Sequence, residues 1–239
     1  MSTPRSASDT APATLATSAA PRALVSWSGG KDSALALHRV LADDAVRVDG
    51  LLTTITDEYD RISMHGVRRA LLQAQAAAIG LPLELVRIPP ACSNADYEAA
   101  TRAALERYAA RGGQAVVFGD LYLADIRAYR ERLLASLPLA PRFPLWLEDT
   151  AELARRFVAQ GFRAVLVCVD PQQLDPRFAG RAFDDALLDE LPPAVDPCGE
   201  NGEFHTFVHD GPIFRHPVAV TPGEVVERGG FVFADLLPG

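Results

Sequence analysis

From Ala23 onward the chain alternates short apolar, β-branched runs with longer stretches of helical character. ALVSW (23–27), VDGLLTTIT (48–56), LELVRI (83–88), QAVVFGD (114–120) and FRAVLVCVD (162–170) are nearly continuous in apolar residues. That texture predicts strands buried on both faces of a parallel sheet. Between them lie SALALHRVLAD (33–43), HGVRRALLQAQAAAIG (65–80) and DYEAATRAALERYAARGG (96–113), rich in Ala, Leu and Arg. Their lengths suit helices, and Gly80 and Gly112 stand where helices stop. The alternation predicts an α/β fold with a doubly wound, mostly parallel sheet and a ligand site at the carboxyl ends of its strands. Beyond Phe143 the texture changes. FPLWLEDTAELARRFVAQG (143–161) opens a helix with Glu148 and Asp149 near its start, and PIFRHPVAVTPGEVVERGGFVFADL (212–236) reads as an antiparallel meander turning at Gly229-Gly230. The expected organisation is a disordered tail over 1–22, a first domain over 23–142 and a smaller α+β domain over 143–239, with no internal repeat.

Composition narrows the partners. With 239 residues and 49% hydrophobic side chains the chain can bury a sizeable core. Its first 22 residues are Ala, Ser, Thr and Pro with few large apolar groups, too little to offset the entropy of ordering them. A net charge of −8 opposes a broad phosphate-backbone interface, so nucleic acid is an unlikely partner. No apolar run reaches the roughly 18 residues that a membrane span needs. Cys92, Cys168 and Cys198 form no C-x-x-C pair, which fits neither a disulfide framework nor a zinc site and points to a reducing cytoplasm.

One position breaks the composition. Of 23 basic residues 22 are arginine, and the single lysine, Lys31, sits in WSGGKDSALALHR between the first expected strand and the first expected helix. Gly29 and Gly30 let the backbone turn and bring N–H groups near a ligand, while the helix beginning near Asp32 or Ser33 aims its positive end at the same spot. Such a loop cradles an anion. It is not a Walker A loop, which would need glycine at Val25 and a hydroxyl residue at Asp32. A compact ammonium fits among phosphate oxygens where a planar guanidinium would crowd a glycine-lined loop.

A second polar cluster, GENGEFHT (199–206), places Glu200, Asn201, Glu203 and His205 within six residues between Gly199 and Gly202. Composition alone divides it evenly between a polar turn before a strand and a reactive loop. Zinc at His205 and His209 fails if the segment is extended, since same-face positions four apart are about 13 Å from each other.

SGGKDS (28–33) resembles the PP-loop of the ATP pyrophosphatases, also called adenine nucleotide alpha hydrolases. Together with GD-L (119–121), PLW (144–146) and GENGEFHT, it is similar to the diphthine-ammonia ligase family over essentially the whole chain from Ala23. The resemblance implies a Rossmann-like nucleotide fold and an ATP-dependent ligase in which a carboxylate is adenylated, pyrophosphate leaves, and ammonia displaces AMP to give an amide. It implies ATP and Mg2+ as cofactors, with ammonium and a carboxylate acceptor, a small molecule or a protein side chain, as partners. Ser28, Gly29, Gly30, Lys31, Asp32 and Ser33 would hold phosphates, Thr54 would lie near adenine, and Gly119 and Asp120 would complete the nucleotide site, with Asp32 and Asp120 facing Mg2+. Lys31, Glu200, Glu203 and His205 would act chemically, and Gly199, Glu200, Asn201, Gly202, Glu203, His205 and Thr206 would bind acceptor or ammonia. His65, in MHG (64–66), divides between facing ATP and capping a helix, and Arg127 and Arg130 between phosphate contacts and ordinary helix surface. Two alternatives remain: a tRNA-modifying ATP pyrophosphatase, and a non-catalytic ATP-binding sensor that would have no use for the acidic loop. The Ala and Arg bias is that of a GC-rich, often bacterial genome, and a bacterial source would imply an acceptor other than diphthine. The residues leave the oligomeric state open, a homodimer included.

Overall fold

A computed structural model describes residues 20–44, 46–56, 61–62 and 66–239; His65 and nearly all of the expected tail over 1–22 lie outside them. The strand β1 (Arg22–Ser26) is the axis of the first sheet. It pairs in parallel with β2 (Arg47–Thr56) on one side, Val25 opposite Leu51. The two-residue strand β3 (Arg61–Ile62) adds antiparallel to the end of β2, whose parallel neighbour is β4 (Leu83–Ile88). On the other side of β1 lie β5 (Ala115–Val117) and then β6 (Ala140–Arg142). The chain therefore builds outward from β1 through β2 and β4, then returns to β5. That reversal makes the carboxyl ends of β1 and β5 the topological switch point, where open α/β sheets bind ligands.

Alternate residues of β1 enter different cores, as a sheet covered on both faces requires. Ala23 and Val25 pack with α1 (Lys31–Ala42) and α2 (Arg69–Ile79), while Leu24 packs with residues of α3 (Asn94–Ala110) and α4 (Ala124–Leu134). Gly80 ends α2 in the left-handed conformation, φ 84°. Ser93 caps α3 by accepting the Asp96 N–H at 3.1 Å.

The second sheet begins after α5 (Thr150–Ala159), which Asp149 caps. Its strands are β7 (Arg163–Val169), β8 (Phe204–Asp210), β9 (Val220–Arg228) and β10 (Phe231–Pro238), in the order β8-β7-β10-β9 and antiparallel throughout. A short helix, α6 (Asp185–Glu190), lies between β7 and β8. The turn joining β9 to β10 has φ 57° at Gly229 and 83° at Gly230, the paired positive angles of a two-residue hairpin.

Two expectations are corrected. FRAVLVCVD is a strand of this antiparallel sheet, not of the parallel one; a continuous apolar run reports burial on both faces and carries no direction. QAVVFGD supplies only three strand residues, because Gly119 turns away against the backbone of α1, where a Cβ would stand 2.8 Å from the Asp32 carbonyl oxygen. The edge strand β6 was hidden by its proline, which marks a strand as peripheral or absent. One apolar core runs through both sheets, joining Val25 and Leu35 to Leu166, Phe204 and Phe207.

Candidate active site

The loop after β1 is held from beneath by the second sheet. Gly29, at φ 78°, presents a carbonyl that accepts the Val208 N–H at 2.9 Å and the Gln75 side-chain N–H at 3.0 Å. Gln75 is fully buried. Its Oε1 accepts the Trp27 indole N–H at 2.9 Å and its Nε2 also donates to the Val208 carbonyl at 2.6 Å, so the buried amide is satisfied on both ends. Sequence reasoning passed over Gln75. The available signal was its place four residues after Leu71, on the apolar face of α2 with Ala76 and Ile79.

Helix α1 has no side-chain cap of its own. Its first N–H, that of Lys31, is accepted by Thr206 Oγ1 at 3.0 Å, from 175 residues away. Within the loop, the Gly30 N–H donates to Ser28 Oγ at 3.2 Å, and Ser33 Oγ donates to the Gly30 carbonyl at 2.9 Å. The two serines thus brace the turn from inside. Lys31 is 2% exposed, and its Nζ donates to both Asp32 carboxylate oxygens, at 2.8 and 2.9 Å, and to the Cys198 carbonyl. Burial, the largest single influence, pulls the Lys31 pKa down; the charge and hydrogen bond of Asp32 together with the charges of Cys198 and Glu200 outweigh it, and the ammonium is retained.

Opposite this loop stands the segment 196–206. Glu200 Oε1 accepts the Leu121 N–H at 2.9 Å and that of Tyr122 at 3.4 Å, which ties it to the loop after β5. Burial raises its pKa to about 7, with the negative Asp32 adding to the rise. His205 is held to about 4 by burial and then by the positive Lys31, so its imidazole is neutral at ordinary pH. Asp120 follows β5, pushed up by burial against the pull of Arg130, whose Nε lies 3.4 Å from it.

These groups share one cavity of about 350 Å³ at the switch point. Of the expected nucleotide residues, Ser28, Gly30, Lys31, Asp32, Ser33, Thr54, Gly119 and Asp120 line it, and Gly29 does not. Of the acidic loop, Gly199, Glu200, Gly202, His205 and Thr206 line it. Asn201 and Glu203 do not: Asn201 is exposed and accepts the Tyr122 hydroxyl at 3.0 Å. The apolar end of the cavity, formed by Leu52, Tyr97, Leu105, Val116, Phe118 and Leu133, was not foreseen. Arg130 reaches this wall, while Arg127 lies between the rings of Phe143 and Trp146, at 4.8 and 4.7 Å from their centroids.

Glu203, expected to act chemically, does not line the cavity, and its carboxylate points into its own loop. It is buried and accepts the Asp196 and Asn201 backbone N–H groups at 2.9 Å each, plus the Asn201 side chain at 3.1 Å. It closes the loop that positions Glu200. Glu203→Gln places an N–H where donors already point, and lost hydrogen bonds to a charged group cost about 1.5–3 kcal/mol. We expect the melting temperature to fall by roughly 5–10 °C, measured by calorimetry. A Glu203→Gln protein that melts like the unmodified one would overturn this positioning role.

Comparison with known proteins gives the family. Residues 21–139 match the family model described as diphthamide synthase N-terminal domain, and residues 149–233 match that of the diphthamide synthase C-terminal domain. The chain is 28% identical over 235 residues to the diphthine–ammonia ligase of Rattus norvegicus, covering 87% of this chain and 86% of that protein. To the diphthine–ammonia ligase of Danio rerio it is 28% identical over 242 residues, covering 87% and 90%. A tRNA(Ile)-lysidine synthase of Xanthomonas campestris pv. campestris is 30% identical over 238 residues, covering 85% of this chain and 52% of that protein.

Proposed function

Because the chain belongs to the diphthamide synthase family, we propose that it joins ammonia to a carboxylate at the expense of ATP, releasing AMP and pyrophosphate. The observation that carries this reading is one cavity holding both a buried lysine at a helix N-terminus and a carboxyl group whose pKa is about 7. The first suits nucleotide phosphates and the second suits a proton passed near neutrality.

In this reading an acceptor carboxylate oxygen bonds to the α-phosphorus of ATP. The bond between that phosphorus and the bridging oxygen breaks, and pyrophosphate departs with the electron pair. Lys31 and the N-terminus of α1 stabilise the charge on the departing phosphates. Ammonia then attacks the acyl carbon, the carbon–oxygen bond to AMP breaks, and Glu200 takes the proton that the new amide nitrogen sheds. Neutral His205 orients the acceptor by a hydrogen bond without competing for that proton. Residues 23–142 would serve the nucleotide and 143–239 the acceptor.

Among the described residues no group of three or more His, Cys, Asp or Glu side chains could hold a metal by itself. Mg2+ normally binds through one or two carboxylates and substrate phosphates, and Asp32 and Asp120 on the cavity wall fit that pattern. When bound, Mg2+ would neutralise phosphate charge. Among the described residues no helix is long and apolar enough to cross a membrane. The cytoplasm remains this reading's compartment because Cys92, Cys168 and Cys198 lie far apart in the sequence without a C-x-x-C pair.

The similarity to a tRNA(Ile)-lysidine synthase favours a second reading, an ATP pyrophosphatase that modifies tRNA. The net charge of −8 opposes it. A cysteine-based variant is further opposed by Cys198, whose thiol burial pushes up to about 12. Chromatography of spent nucleotide tests the main reading. Turnover with ammonium and a carboxylate acceptor should yield AMP and pyrophosphate in equal amounts, and ADP would contradict it.

A further inference from the structure

A second cavity, of about 440 Å³, opens between the start of α2 and the face formed by β7, β9 and β10. Ile62 and His205 line both cavities, so the second adjoins the nucleotide site at the neutral imidazole. Its walls are mainly apolar, with Val67, Val226, Phe231, Phe233 and Leu236 foremost. Two charged side chains stand among the described lining residues. Asp235 is clasped by the Arg68 guanidinium at 3.1 and 2.5 Å, which cancels its charge locally. Arg228 is exposed and makes no hydrogen bond or ion pair with the described residues, so among the described lining residues it is the one charge left uncompensated.

We propose that this second cavity is the acceptor pocket, and that its occupant is a free, small carboxylic acid with an apolar body. The inference rests on the ligase reading and names its acceptor class. The volume lies within the roughly 300–1,000 Å³ of clefts that enclose whole small ligands. An apolar body would lie between Val67 and the Phe231–Phe233 wall, displacing water from surfaces that offer it few partners. The carboxylate would point inward past His205, toward the α-phosphate held by the loop at Lys31. Arg228 at the rim favours entry of an anion over a cation.

The test uses the full chain and straight-chain saturated acids of two to ten carbons, named here as probes. Calorimetry reads acid affinity, and chromatography reads AMP formed with MgATP and ammonium. Affinity should rise about fourfold with each added methylene until the cavity is full, then fall. Val226→Trp should move the best-bound acid to a shorter chain and Phe233→Ala to a longer one, with ATP affinity unchanged in both. Damage to the fold would weaken binding in both variants without moving the optimum in opposite directions. An affinity independent of chain length, or an optimum that neither variant moves, overturns the pocket. Acids that bind with the expected length dependence but release no AMP leave the pocket standing and remove the ligase reading. AMP released without any length dependence, or only when the carboxylate is carried on a polypeptide, removes the pocket and keeps the ligase.

Discussion

Lys31→Arg is expected to lose as much ATP affinity as Lys31→Ala, roughly 100-fold or more for each, although arginine keeps the charge. Lys31 is 2% exposed, and its ammonium lies against Asp32, the Cys198 carbonyl and the ring of Phe204, whose centroid is 5.8 Å from Nζ. A guanidinium is wider, planar and cannot turn its donors independently. Forcing it in costs about 1–3 kcal/mol of overpacking, and leaving it out removes the cation from the phosphates. Breaking a buried charged contact costs about 3–5 kcal/mol, which is the source of the hundredfold figure. Titration calorimetry measures both variants, with melting as a control because Asp32 loses its partner in Lys31→Ala. An arginine variant that binds ATP like the unmodified protein would show that charge alone matters at this position.

Glu200→Gln should retain ATP affinity within a few-fold and lower amide formation by about 100-fold or more, the usual scale for a positioned base. The pH dependence separates chemistry from packing. At a fixed concentration of free ammonia, the unmodified rate should climb as pH rises through about 7, where the Glu200 carboxyl ionises, and the glutamine variant should lack that inflection. Stability moves the other way. The folded-state pKa is raised above the ordinary 4.5, so the contribution of the protonated group is complete below 4.5 and is lost as pH rises through about 7. The unmodified protein should therefore lose stability relative to Glu200→Gln across that window. A variant with the same inflection and rate would place the proton acceptor elsewhere.

How much of this was legible in the sequence depended on whether the signal was local. The SGGKDS loop could be read because strand, glycines, lysine and helix are contiguous, and all of its residues except Gly29 line one cavity. The second sheet was half legible: the Gly229-Gly230 turn declares its hairpin, whereas the pairing of β7 with β8 and β10 depends on partners that come later in the chain. Glu200 and Glu203 could not be told apart on paper. Two residues separate two carboxylates of which one faces the cavity and the other closes a loop, and only the hydrogen bonds to Asp196 and Asn201 decide between them. Gln75 was hidden for the same reason, and so was the part Thr206 plays at the start of α1, since each acts on a loop 46 or 175 residues away.

Oxygen labelling tests the central claim most directly. With a carboxylic acid labelled in both oxygens by oxygen-18, ATP and ammonium, the carboxylate oxygen that attacks the α-phosphorus stays with that phosphorus when ammonia displaces AMP. Mass spectrometry should find one labelled oxygen in the phosphate of each AMP and one in each amide. AMP without label, or label in pyrophosphate or inorganic phosphate, would contradict adenylation of the acceptor.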